Sequence, residues 1–183
     1  MRNALLFLLA SSAGVADAQT APTAPPPPSC AVAENRQFDF WLGQWTVSAG
    51  DKHAGDSRIE SILSGCVILE NWTGAGGSVG KSFNIYNSQT RQWEQYWVDN
   101  QGTRLHLHGG ISEGRMVLTG QQDLPNAKTG KTQLERITWT PNEDGSVRQL
   151  WETSTDAGET WTTSFDGLYT RVATDGAKPA TPG

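Results

Sequence analysis

From residue 43 to residue 171 apolar and polar side chains tend to alternate, and Gly, Asn and Asp interrupt the alternation at short intervals. A period of two puts one set of side chains on each face of an extended chain, so such segments read as half-buried strands. The pattern predicts strands over 43–48, 57–63, 67–73, 79–87, 92–99, 103–111, 115–121, 133–140, 146–154 and 160–171. Between them lie turn-forming groups such as Gly50-Asp51, Ser64-Gly65, Asn100-Gln101-Gly102, Glu113-Gly114 and Asp156-Ala157-Gly158. Short strands joined by such turns indicate an antiparallel meander of about ten strands. No long stretch carries helical periodicity, and only 34–42 has room for a short helical turn before the first strand.

A meander of this length leaves two unpaired edges unless it closes on itself. Closure into an up-and-down β-barrel removes them and leaves an interior that side chains fill or a ligand occupies. A two-sheet sandwich is the rival. Its crossovers need longer connections than most of those here, although 122–131 is one candidate. Just before the meander, Phe38-Asp39-Phe40-Trp41-Leu42-Gly43-Gln44-Trp45-Thr46-Val47 crowds four aromatic side chains into ten residues. Phe38, Phe40 and Trp41 are expected to cap one end of the barrel.

One hairpin can be tested by polarity. A three-residue loop at Asn100-Gln101-Gly102, with Gly102 in the left-handed region, pairs Asp99 with Thr103, Trp97 with Leu105 and Gln95 with Leu107. Trp93, Trp97, Leu105 and Leu107 then share the inner face, and Glu94, Arg104, His106 and His108 the outer one. A slip of one residue would mix the two sets. A two-residue loop at Glu113-Gly114 sets Met116 and Leu118 on the same side as Ile111.

The N-terminus differs in composition. Arg2 precedes the apolar run Ala4 to Ala10, and small residues lead to Ala16-Asp17-Ala18. This is the pattern of a signal peptide over 1–18, cleaved after Ala18, and the run is too short to span a bilayer. Residues 19–29, with Pro25-Pro26-Pro27-Pro28, favour extended polyproline II and read as a spacer. The folded domain is expected over 30–172, followed by a disordered tail over 173–183. These features place the protein in the periplasm or outside the cell, without membrane insertion. The formal net charge is −5 and Lys and Arg are scattered, so the basic stripe that nucleic acid requires is missing. The two cysteines, Cys30 and Cys66, are expected to form a disulfide that ties the start of the domain to a strand junction, contributing about 2–4 kcal/mol.

His106-Leu107-His108 sets two imidazoles on one face of a strand, a spacing that suits a metal, and with Glu113 and Gly120 it is similar to the first half of a cupin motif. The second half needs a later histidine, and none follows His108. A solvated outer strand face is the favoured reading, and no metal or cofactor is assigned. Residues 154–161 match the Asp-box of sialidases and related propellers, where the motif shapes a hairpin and does no catalysis; a single copy points to a hairpin alone. Asn71-Trp72-Thr73 fits the glycosylation pattern. With Asn71 outward, Glu70 and Trp72 face the interior, and a carboxylate there must be paired or wet. No Ser/His/Asp triad or spaced carboxylate pair emerges, so no catalytic residues are assigned.

Three sets of residues carry a resemblance: Phe38 to Trp45; Trp93, Gln95, Trp97 and Asp99; and Leu168-Tyr169-Thr170-Arg171. Together they resemble the secreted bacterial lipocalin-like domains, calycin barrels related in shape to nitrobindins and fatty-acid-binding proteins. The resemblance covers most of 38–171. It implies that Gly43-Gln44-Trp45 opens the first strand and that Arg171 lies over Trp45 to close the barrel. Loss of either side chain is then expected to cost several kcal/mol. The haem histidine of nitrobindins would lie late in the chain, where this sequence has none. A cavity and a small apolar ligand are further implications.

The expected function is binding of a small, partly apolar molecule by an exported lipocalin-like barrel, with Glu70, Trp72, Trp93, Gln95, Trp97, Trp139 and Trp151 on the ligand wall. The same tryptophans would serve equally as core filling. Two other classes stay open: a metal-assisted enzyme using His106 and His108, and an envelope protein-interaction module tethered by the proline-rich leader.

Overall fold

In the computed structural model, residues 30–122 and 130–173 are described. The segments expected as signal peptide (1–18) and spacer (19–29), and nearly all of the expected tail, lie outside them. Ten strands follow in order: β1 (Gly43–Ala49), β2 (Lys52–Ile62), β3 (Val67–Gly74), β4 (Val79–Asn87), β5 (Gln92–Asp99), β6 (Arg104–Ser112), β7 (Arg115–Gln121), β8 (Leu134–Pro141), β9 (Val147–Ser154) and β10 (Thr162–Arg171). Each pairs antiparallel with the next, and β10 returns to β1, so the sheet is a closed up-and-down barrel. Closure leaves neither edge exposed, which decides against the sandwich.

The register follows polarity. Trp97 faces Leu105 and Gln95 faces Leu107, with the Asp99 amide donating to the Thr103 carbonyl at 3.2 Å and Gly102 at φ +79°. Across the β6–β7 turn Ile111 faces Met116. Met116 and Leu118 are buried, while Ile111, beside the turn, is largely exposed. The largest departure from expectation is β2, which begins at Lys52 rather than at residue 57. His53-Ala54-Gly55-Asp56 has turn-like composition, yet Gly55 is held on both sides, against Val47 and against Gly74. Pairing with two neighbours overrides local propensity, and a bulge between Val47 and Ser48 absorbs the mismatch.

One end of the barrel is plugged. Two 3-10 turns, Ala33–Arg36 and Asp39–Trp41, replace the single turn expected over 34–42. Phe38 stacks on Trp41 with centroids 4.9 Å apart and meets the edges of Trp93 and Trp139 at 5.7 and 5.2 Å. Phe38, Trp41, Trp45, Trp93, Trp139 and Tyr169 are all essentially solvent-free. The Cys30–Cys66 disulfide, Cα atoms 5.0 Å apart, fixes the leader of this plug to the β2–β3 junction, and Arg36 adds a hydrogen bond to the Gly65 carbonyl. A disulfide of this kind belongs to an oxidising, non-cytoplasmic compartment. Among the described residues no helix is long and apolar enough to cross a membrane.

Candidate functional site

The plug fills the end where β1 starts and β10 finishes. The other half of the interior holds a cavity of about 410 Å³. Its apolar wall comes from Ala54, Trp72, Trp97, Leu105, Ile137, Trp151 and Phe165, and its polar positions are Glu70, Gln95, Gln149 and Tyr169 deeper in, with Ser78, Asp99 and Ser164 near the strand ends opposite the plug. A mostly apolar hollow with a few convergent polar groups is the usual form of a small-molecule site.

Glu70 is the chemical centre of this hollow. It sits midway along β3, pointing inward because Asn71 points out and hydrogen-bonds the Arg58 carbonyl and the Glu60 carboxylate at 3.2 and 3.0 Å. Its two oxygens accept from Ser57 Oγ at 3.2 Å and Ser82 Oγ at 2.8 Å, one from each flanking strand. Behind Ser82 runs a relay: Asn84 Nδ2 donates to Ser82 Oγ at 3.0 Å and to the Ile68 carbonyl at 3.1 Å, and Gln95 Nε2 donates to Asn84 Oδ1 at 2.8 Å. Burial pushes the Glu70 carboxyl up to about 7, while hydrogen bonds from Ser82, Ser57 and Tyr169 pull the other way.

Tyr169 joins the same group from β10. Its hydroxyl hydrogen-bonds Gln149 Oε1 and also stands within reach of Glu70. A phenol has one proton for two acceptors. Turning the Gln149 amide over would let it donate to Tyr169 and direct the phenol proton to Glu70, so the pair has two internally consistent arrangements. Burial and the Glu70 charge both raise the Tyr169 hydroxyl well above its ordinary value, so it stays a neutral donor.

Of the residues expected on the ligand wall, Glu70, Trp72, Gln95, Trp97 and Trp151 line the cavity. Trp93 and Trp139 do not. Both lie near the plugged ends of their strands and pack on Phe38, and the Trp93 indole donates to Gln37 Oε1 at 3.2 Å. The inward face alone could not separate wall from floor, since that depends on height along the barrel. Trp151 is oriented by a 2.7 Å hydrogen bond from its indole to Glu135, a fully buried carboxylate that also accepts from Gln122 and Gln133. Ser57, Ser82, Asn84, Gln149 and Tyr169 are the members that the pattern reading missed. The signal for two of them was present, because β4 places polar Ser82 and Asn84 at consecutive inward positions.

The other motifs resolve as surface structure. His106 stacks on Tyr96 with centroids 4.2 Å apart and lies 3.6 Å from Glu94, whose carboxylate accepts from the Tyr96 hydroxyl and Asn87 at 2.7 and 2.8 Å. His106 and His108 both face solvent, and among the described residues no three His, Cys, Asp or Glu side chains gather as a metal site. The Asp-box segment is the β9–β10 hairpin. Asp156 accepts from the Thr160 hydroxyl, the Thr160 amide at 2.9 Å and the Ser154 hydroxyl at 2.7 Å, and these bonds, in that order of weight, lower its carboxyl to about 2. Trp161 folds back to donate to the Gly158 carbonyl at 3.0 Å, under the Arg136 guanidinium. Neither a protein-family model nor a curated protein sequence matches the chain.

Proposed function

We propose that this protein is an exported, lipocalin-like carrier or sensor that binds a small, partly apolar molecule inside its barrel. The carrying observation is the cavity of about 410 Å³ above the aromatic plug, with tryptophans on its walls and a hydrogen-bonded carboxylate at its base. A core built only for stability would be packed to near-crystalline density, and a void this size forfeits dispersion contacts. Retaining it is consistent with an occupant. Export through a signal peptide over 1–18 is supported by the residues of that segment and accords with the Cys30–Cys66 bridge. Membership of the lipocalin-like group is supported by the closed meander and by Arg171 lying over Trp45.

The test is a fluorescence titration with N-phenyl-1-naphthylamine, which is uncharged at neutral pH and brightens on leaving water. The wild-type chain is expected to bind it with one site. Ala54→Phe, which adds a ring at the cavity wall, is expected to weaken binding by about tenfold or more, equivalent to about 1.4 kcal/mol. His106→Ala on the outer face serves as the unaffected control. No binding by the wild type, or equal binding by Ala54→Phe, refutes the reading.

A further inference from the structure

We infer that the occupant is an organic cation: a protonated amine on an aromatic or compact apolar body. This rests on the small-molecule reading above and names the class of ligand within it. Among the described residues, two charged side chains line the cavity, Glu70 and Asp99, both acidic, and no Lys, Arg or His does. The rest of the wall is unusually aromatic, with Trp72, Trp97, Trp151, Phe165 and Tyr169. Aromatic rings present negative potential at their faces, and rings combined with a carboxylate form the environment that selects cationic nitrogen.

The bonding of Glu70 points the same way. Elsewhere in the barrel, carboxylates on paired strands meet arginines, as in Arg136 with Glu152 at 2.9 Å and Arg148 with Asp166 at 2.7 Å. Glu70, far more buried than these, receives serine hydroxyls instead. Neutral donors orient a carboxylate without cancelling its charge. Gln95, Asn84 and Ser82 form a donor chain that ends on one of its oxygens, and Ser57 donates to the other. A carboxylate offers about four lone-pair directions, so acceptor capacity remains for a ligand N–H. Glu135, the other buried carboxylate among the described residues, is not one of those that line the cavity. An amine in the hollow would supply a counter-charge that none of the described lining residues offers, and a carboxylate ligand would meet two like charges.

Three probes with one carbon skeleton test this by calorimetry on the full chain at pH 7.5: 3-phenylpropylamine, 3-phenylpropanol and 3-phenylpropanoate. The amine is expected to bind about tenfold or more tighter than the alcohol, with the carboxylate weakest. Glu70→Gln is expected to abolish the advantage of the amine over the alcohol, a ratio read within the same variant. The ranking in the wild-type chain is decisive even if that variant folds poorly. Equal affinities, a preference for the carboxylate, or N-phenyl-1-naphthylamine binding with none of the three probes overturns the cation inference and leaves the small-molecule reading standing. An amine preference that survives Glu70→Gln overturns the role of Glu70. Failure of all three probes and of N-phenyl-1-naphthylamine overturns both readings.

Discussion

Arg171 lies over the indole of Trp45, its guanidinium carbon 4.3 Å from the ring centroid, at the point where β10 meets β1. The same guanidinium donates to the Leu42 carbonyl at 3.0 Å, and the Trp45 indole donates to the Trp41 carbonyl at 2.9 Å. Gly43 makes the approach possible: its φ is +140°, and a Cβ there would sit 2.5 Å from the Arg171 guanidinium. One cluster therefore joins the two ends of the sheet and the plug beneath them.

The two members of that contact should not be equal. Trp45 is almost wholly buried, so Trp45→Ala is expected to cost about 3–5 kcal/mol. Arg171 is exposed, and its loss removes one cation–π contact and one hydrogen bond, about 1–2 kcal/mol in total. This is less than the several kcal/mol expected from sequence, because the arginine lies at the surface of the seam rather than within it. Urea denaturation of both variants measures the difference, and equal losses would contradict this picture of closure.

Stability should also depend on pH through Glu70. In the folded barrel its carboxyl is raised from 4.5 to about 7. Between those values the folded chain keeps a proton that the unfolded chain has released. Stability is therefore expected to fall as pH rises from about 4.5 to about 7 and to level off above, by up to about 3 kcal/mol. Urea midpoints for the wild type and Glu70→Gln across pH 5–8 isolate this effect, and parallel pH profiles would rule it out. Tyr169→Phe removes a donor that steadies the ionised form, so it should extend the decline to higher pH.

Reduction of the Cys30–Cys66 bridge frees a loop with a sequence separation of 36. Cys30→Ser with Cys66→Ser is expected to lower stability by about 2–4 kcal/mol. Because the bridge lies at the plugged end, probe binding by the folded double variant should stay close to wild type. A parallel loss of binding would show that the plug and cavity are coupled.

Trp151→Phe keeps a ring on the cavity wall and deletes the hydrogen bond to Glu135. A donor lost from a buried carboxylate is expected to cost about 1.5–3 kcal/mol. Probe affinity should fall as well, since the indole bond fixes how that wall is presented. Thermal melts and the fluorescence titration report the two effects separately.

Strand count, closure and the Trp97–Leu105 register were legible because the two faces of each strand differ in polarity, and only one pairing keeps them apart. The start of β2 was not legible, because Gly55 and Asp56 look like a turn until β1 and β3 are both in place. The site was half visible. Alternation turned Glu70, Gln95 and three tryptophans inward, but alternation has no coordinate along the barrel axis. It therefore put Trp93 and Trp139 on the ligand wall, when the plug had already claimed that level of the interior. The meeting of Ser57, Ser82 and Tyr169 around Glu70 draws on four strands, and no local pattern in the chain records it.

The plug gives the barrel a direction. Cys30 enters the domain beside Cys66 at the closed end, and the Val172 amide leaves it bonded to the Gln44 carbonyl at the same end. A linker, label or solid support joined beside Cys30 or Val172 would therefore hold the barrel by its sealed base, with the tryptophan-lined mouth turned away from the attachment.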